Sequence, residues 1–148
     1  MESYVAALWA KDHQAAYDAL HLLLEESGKT SGVYPYFDQF VAMLDDPSSY
    51  VRSRGLALIA ANAKWDKEGK LDQCLPKYLS HITDKKPITA RQCIQRLPEI
   101  VSSRPDLAPC IRQALLEAST EQYAESMRPL ICRDISAALA ELQAPAAP

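Results

Sequence analysis

The chain has 148 residues, 48% hydrophobic and 24% charged, with a formal net charge of −3. That length suits one domain with a core large enough to need no covalent staple. Its longest apolar run, Leu56 to Ala61, falls far short of the ~20 residues a membrane span needs, so no membrane partner is expected.

Composition points to helix. There are 22 Ala and 18 Leu against 5 Val and 4 Thr. Ala and Leu lose little entropy in a helix, whereas strands favour β-branched residues. The start, Met1-Glu2-Ser3, lacks a basic segment followed by an apolar one. No secretory signal is therefore expected, and a cytoplasmic location follows.

Taken in chain order, the pattern predicts helices over about 2–10, 13–27, 34–45, 48–64, 71–83, 87–103, 106–118 and 126–142. Ser27-Gly28 and Gly32 bracket the loop after the second, where glycine can take positive φ. Phe37, Phe40, Val41 and Leu44 recur at helical spacing. So do Leu71, Leu75, Tyr78, Leu79 and Ile82, and later Ile111, Leu115 and Ala118. Pro35, Pro76, Pro87, Pro109 and Pro129 read as first-turn prolines, tolerated because the missing N–H has no partner there. Pro47 and Pro105 fall in turns, and Pro98 lies inside a helical pattern, where a kink is expected. Residues 143–148 read as a disordered Ala/Pro tail.

A repeat runs through the middle. Asp45-Asp46-Pro47-Ser48-Ser49-Tyr50-Val51-Arg52 and Asp84-Lys85-Lys86-Pro87-Ile88-Thr89-Ala90-Arg91 have similar form, and a looser copy ends at Met127-Arg128. Its arginines, Arg52, Arg91 and Arg128, are spaced by 39 and 37 residues. Leu58 and Ile59, then Ile94 and Leu97, then Ile131 and Ile135 follow in parallel. A period near 40 with two helices per unit is a solenoid signature.

On Asp46, Val51-Arg52, Leu58 and Ile59 the chain resembles the HEAT family of helical repeats. The first repeat, about 37–64, is the clear match. Segments 71–103 and 107–142 are divergent copies, and 1–30 reads as a capping helix pair. The resemblance implies an all-α superhelix of about four antiparallel helix pairs, one domain over 1–142. It also implies that Asp46, Arg52, Asp84 and Arg91 are structural, the arginines bonding Asp45, Asp46 and Asp84 in the turns. The second-helix surface is the concave face in this family. There Arg96 and Arg133 each follow a repeat arginine by five residues, with Ala57 in the corresponding place of the first unit.

Charge is uneven. Residues 1–46 carry 2 basic and 8 acidic groups, 47–104 carry 11 and 5, and 105–148 carry 3 and 6. A basic middle can attract an acidic protein or a nucleic acid, and Lys64, Lys67, Lys70, Lys85 and Lys86 fall in or near connections. Arg54, Arg96, Arg133, Lys85 and Lys86 are the candidate partner-binding residues.

Nothing points to catalysis. His13, His21 and His81 are dispersed, and Cys74, Cys93, Cys110 and Cys132 form no close pair. They read as reduced, mostly buried thiols, with no metal and no cofactor expected. No Gly-rich phosphate loop is present. Some HEAT-like proteins are DNA glycosylases, and Trp65-Asp66 within the basic segment 47–104 is similar to the aromatic and carboxylate pair they use. Against this, the chain is short, acidic (pI about 5.6) and poor in basic-aromatic interleaving. The expected function is a protein-binding scaffold, with nucleic-acid binding as the alternative.

Overall fold

The computed structural model describes residues 1–143, and those described are helices joined by turns, with no strand among them. Among the described residues there are eight α-helices: α1 (Glu2–Ala7), α2 (His13–Lys29), α3 (Phe37–Met43), α4 (Ser49–Asn62), α5 (Lys70–Ser80), α6 (Pro87–Ser103), α7 (Ala108–Glu117) and α8 (Arg128–Gln143). Short 3₁₀ turns at Tyr34–Tyr36, Ala63–Trp65, His81–Thr83 and Pro105–Leu107 extend the pattern at several helix ends. Apart from Gln143, which ends α8, the expected tail lies outside the described residues. The chain reads as one domain in sequence, but its contacts gather into two compact units, Met1–Leu75 and Pro76–Pro148, with the boundary inside α5.

In the first unit α4 is the centre. It packs on α2 and α3, and from Val51 to Asn62 every residue except Ser53 is buried. A helix buried all round needs apolar residues all round, and Leu56, Leu58, Ile59 and Ala60 supply them. Phe37, Phe40, Met43 and Leu44 face it from α3 and the turn beyond. Gly55 lets the two helices close up: a Cβ there would lie 2.9 Å from both the Met43 Cβ and the Phe40 carbonyl oxygen.

Helix α2 runs two residues past its predicted end, and Gly28 sits within it. Donors from elsewhere take its last carbonyls. Trp65 Nε1 donates to the Ser27 oxygen at 2.7 Å, and Lys64 Nζ to that of Gly28 at 3.2 Å. Buried Ser27 bonds back to the Leu23 oxygen and accepts from Asn62 Nδ2. The glycine with positive φ is Gly69 (74°), not Gly28 or Gly32. It opens the turn in which Asp66 caps α5, accepting from the amides of Lys70 and Leu71.

In the second unit α6 packs on α8 and on the 3₁₀ turns flanking it, and α7 packs on α8. Cys93, Ile94, Leu97, Ile111 and Ile131 are fully buried. Asp84 is the polar centre. Its carboxylate bonds His81 Nδ1 at 2.7 Å and the Lys86 amide at 2.9 Å, and its carbonyl accepts the Tyr123 hydroxyl. Burial, reinforced by that carboxylate, pushes Tyr123 up to about 12. Pro76 departs from expectation by lying inside α5, where it removes one helix bond at an exposed position. Helix α6 continues through Pro98 to Ser103.

Two thiols also depart from expectation. Cys74 and Cys93 are buried, but Cys110 and Cys132 are exposed. Their helices bury Ile111 and Ile131, so the preceding and following positions turn outward.

Two measurements check this packing. Gly55→Ala should lower stability by about 1–3 kcal/mol in chemical denaturation, because backbone and Cβ stand in the way. Gly28→Ala, with no atom within 4 Å of the new Cβ, should instead gain roughly 0.5–1 kcal/mol. In native thiol titration Cys110 and Cys132 should label first. Cys93, whose thiol burial holds well above its ordinary range, should label only on unfolding.

Candidate functional site

The arginines of the sequence repeat occupy different positions in their helices. Asp46 Oδ2 accepts the Ser48 amide and Asp84 Oδ1 accepts the Lys86 amide, both at 2.9 Å, and those residues are the N-caps of α4 and α6. In this frame the offset is 38, so Arg52 matches Ala90 and Thr89 matches Val51, all four buried. Arg91 falls one position later and Arg128 opens α8. The 39-residue spacing of Arg52 and Arg91 is thus not the structural register, because the second turn holds one more residue between aspartate and arginine.

Their bonds differ accordingly. Arg52 Nη1 donates to the carbonyls of Asp46 and Pro47, both at 3.0 Å, closing the turn before its own helix. Arg128 does something similar, Nη2 donating to Tyr123 and Glu121 oxygens in the preceding loop. Arg91, expected to pair with Asp84, instead bonds Asp134 of α8 through Nε at 2.7 Å and Nη2 at 3.5 Å. That pair raises the Arg91 pKa.

The candidate partner-binding residues are scattered. Lys85, Lys86 and Arg133 are exposed, and Arg96 is partly exposed, 4.0 Å from Glu99. Arg54 was expected at the surface but is 8% exposed. It lies in the stretch of α4 that is buried except at Ser53, and its Nη1 donates at 2.8 Å to the Leu8 carbonyl at the end of α1. Trp65 and Asp66 are held apart from any groove chemistry: the indole caps α2, and the carboxylate caps α5 while accepting the Tyr34 hydroxyl. Burial and that carboxylate raise the Tyr34 pKa.

The features that gather into a site lie around Arg54. A cleft of about 360 Å³ is lined by Trp9, Lys11, His13, Asp46, Tyr50 and Arg54, among others. Trp9 is 38% and Tyr50 60% exposed. The Tyr50 ring sits 4.4 Å from that of His13, whose Nδ1 is 3.4 Å from Arg54 Nη2. Nearby on α2, Tyr17 is exposed and its ring lies 4.1 Å from His21. Burial lowers the Arg54 pKa, and no carboxylate among the described residues pairs with it. A shallower hollow of about 390 Å³ in the second unit, with Leu79, Ile82, Ala114 and Glu117 in its walls, carries no such cation.

Sequence reasoning placed Arg54 among the candidates but missed Trp9, His13 and Tyr50. One signal was available. Tyr50 lies in the first turn of its helix, before the buried stretch that begins at Val51, where an aromatic can stay at the surface. The meeting of α1, α2 and α4 that assembles the cleft has no local signature.

No group of three His, Cys, Asp or Glu side chains among the described residues could hold a metal ion, and no described helix is long and apolar enough to cross a membrane. No family model, curated protein or solved structure matches the chain.

Denaturation midpoints separate the arginines' roles. Arg52→Ala should lose about 1–3 kcal/mol, since two turn carbonyls lose a buried donor. Arg96→Ala should stay within about 0.5 kcal/mol of wild type, as surface changes do.

Proposed function

We propose that this chain is a non-catalytic, cytoplasmic scaffold of HEAT-like helical-repeat type that binds another protein. The observation that carries the reading is the cleft of the first unit, where exposed Trp9 and Tyr50 flank a buried arginine. Trp, Tyr and Arg are the side chains that most often dominate protein-binding energy, because each offers large area with a polar handle. The matching aspartate turns before α4 and α6 support the repeat part of the proposal. Nucleic-acid binding through 47–104 has less support, since Trp65 and Asp66 are already committed to helix ends.

Affinity capture with wild type and with Trp9→Ala/Tyr50→Ala tests the proposal. The double variant should keep its helical circular dichroism and lose at least 10-fold of the captured partner, a loss of about 1.4 kcal/mol or more. Equal capture by both proteins would overturn the assignment of the cleft. A gel shift at low salt should show no nucleic-acid binding, low salt being the permissive condition. Retardation there, without protein capture, would favour the alternative.

A further inference from the structure

The cleft bears the chemistry of its ligand. Arg54 is buried on α4 with a hydrogen bond to the Leu8 carbonyl and a contact to His13, and no carboxylate among the described residues pairs with it. A buried cation is ordinarily paired, because desolvation costs more than neutral hydrogen bonds return. A guanidinium has five N–H donors in a planar fork, and the bonds to Leu8 and His13 leave others for the cleft. Lys11 stands exposed in the wall of the same cleft. The one carboxylate lining it, Asp46, accepts the Ser48 amide and starts α4.

We propose that this cleft is a carboxylate-recognition site. On the reading of the chain as a protein-binding scaffold, its occupant is a peptide segment of the partner that carries one carboxylate. A single Asp or Glu carboxylate meets the Arg54 fork, and an adjacent apolar or aromatic side chain lies against Trp9 and Tyr50.

Two charge facts select this ligand over a polyanion. Asp46 lines the cleft and repels a dianion more strongly than a single carboxylate. The segment 1–46, which supplies most of the cleft, carries 2 basic against 8 acidic groups. Its field disfavours a phosphate-rich partner at a distance, while a lone carboxylate gains short-range bonds that screening hardly reduces. Arginine suits the planar carboxylate because two parallel N–H···O bonds can form, which a lysine cannot offer.

Phenylacetate is a minimal probe, with one carboxylate beside one ring. Phenylacetamide is its neutral counterpart, and inorganic phosphate the competing anion. Titrations of the full chain would be followed by ¹⁵N shifts of the Trp9 indole, the Arg54 Nε–H and the amides of residues 49–51. Phenylacetate should give saturable shifts confined to these groups. Phenylacetamide should bind at least 10-fold more weakly, and phosphate should not displace phenylacetate. Lys11→Glu changes an exposed residue and spares the fold. It should weaken phenylacetate several-fold while leaving phenylacetamide unchanged, and Arg54→Lys should abolish the preference between the two.

Equal affinity for acid and amide, or tighter binding of phosphate, would overturn the inference. Capture that depends on Trp9 and Tyr50 but is untouched by phenylacetate or by Lys11→Glu would overturn the carboxylate assignment and leave the scaffold reading standing. Selective phenylacetate binding without any captured partner would support the site and count against the scaffold.

Discussion

Asp46 and Asp84 each bend the chain by accepting the amide two residues on, and each turn delivers the chain into the helix at the centre of its unit. The bond is short-range and cheap, since a carboxylate beside its own backbone needs little ordering. Its consequence is long-range. It fixes the first residue of α4, hence which positions face α2 and α3, and it fixes the first residue of α6 in the same way. Val51 and Arg52 in one unit, Thr89 and Ala90 in the other, are buried for this reason. The cleft also depends on it, because Tyr50 and Arg54 are displayed at angles set by where α4 begins.

Helix α4 carries an unusual load for a buried helix. Gly55 brings α3 into contact with it. Three polar side chains, Arg52, Arg54 and Asn62, lie among its buried residues. Burying a polar group is tolerable only where it is bonded. Arg52 meets this condition against the turn carbonyls, and Asn62 Nδ2 meets it through Ser27 and Leu58. Arg54 satisfies one carbonyl and one imidazole, but among the described residues its charge has no paired carboxylate. A carboxylate in the cleft would offset that charge, whereas the buried Asn62 Oδ1, which has no partner among the described residues, faces no cleft ligand. The aromatic rings around it lie where a partner's apolar surface would complete the burial.

Much of this was legible in the sequence. All eight described helices end within three residues of their predicted limits at the C-terminal side once the 3₁₀ turns are joined to them, because periodicity and proline placement act locally. The all-α class follows from the abundance of Ala and Leu and the scarcity of β-branched residues. The core positions Phe37, Phe40, Leu71, Tyr78, Ile111 and Leu115 follow from helical spacing alone. Asp46 and Asp84 were readable as turn residues because a side chain that bonds its own backbone needs no tertiary context.

What escaped the sequence depends on segments far apart in it. The extension of α2 rests on Trp65 and Lys64 donating across more than 35 residues. The partner of Arg91 is 43 residues away on α8, and nothing near Arg91 announces it. Arg54 reads in the sequence as one more cation of the basic segment 47–104, and only packing decides which side of its helix keeps water. Cys110 and Cys132 looked like core thiols, but each lies next to a core isoleucine on its helix. The sequence by itself determined the helices, their starting turns and most of the core, since these are set by neighbours in the chain. Only the tertiary structure decided where charge is buried and which aromatics stand beside it, because that depends on which distant segments exclude water from the same place.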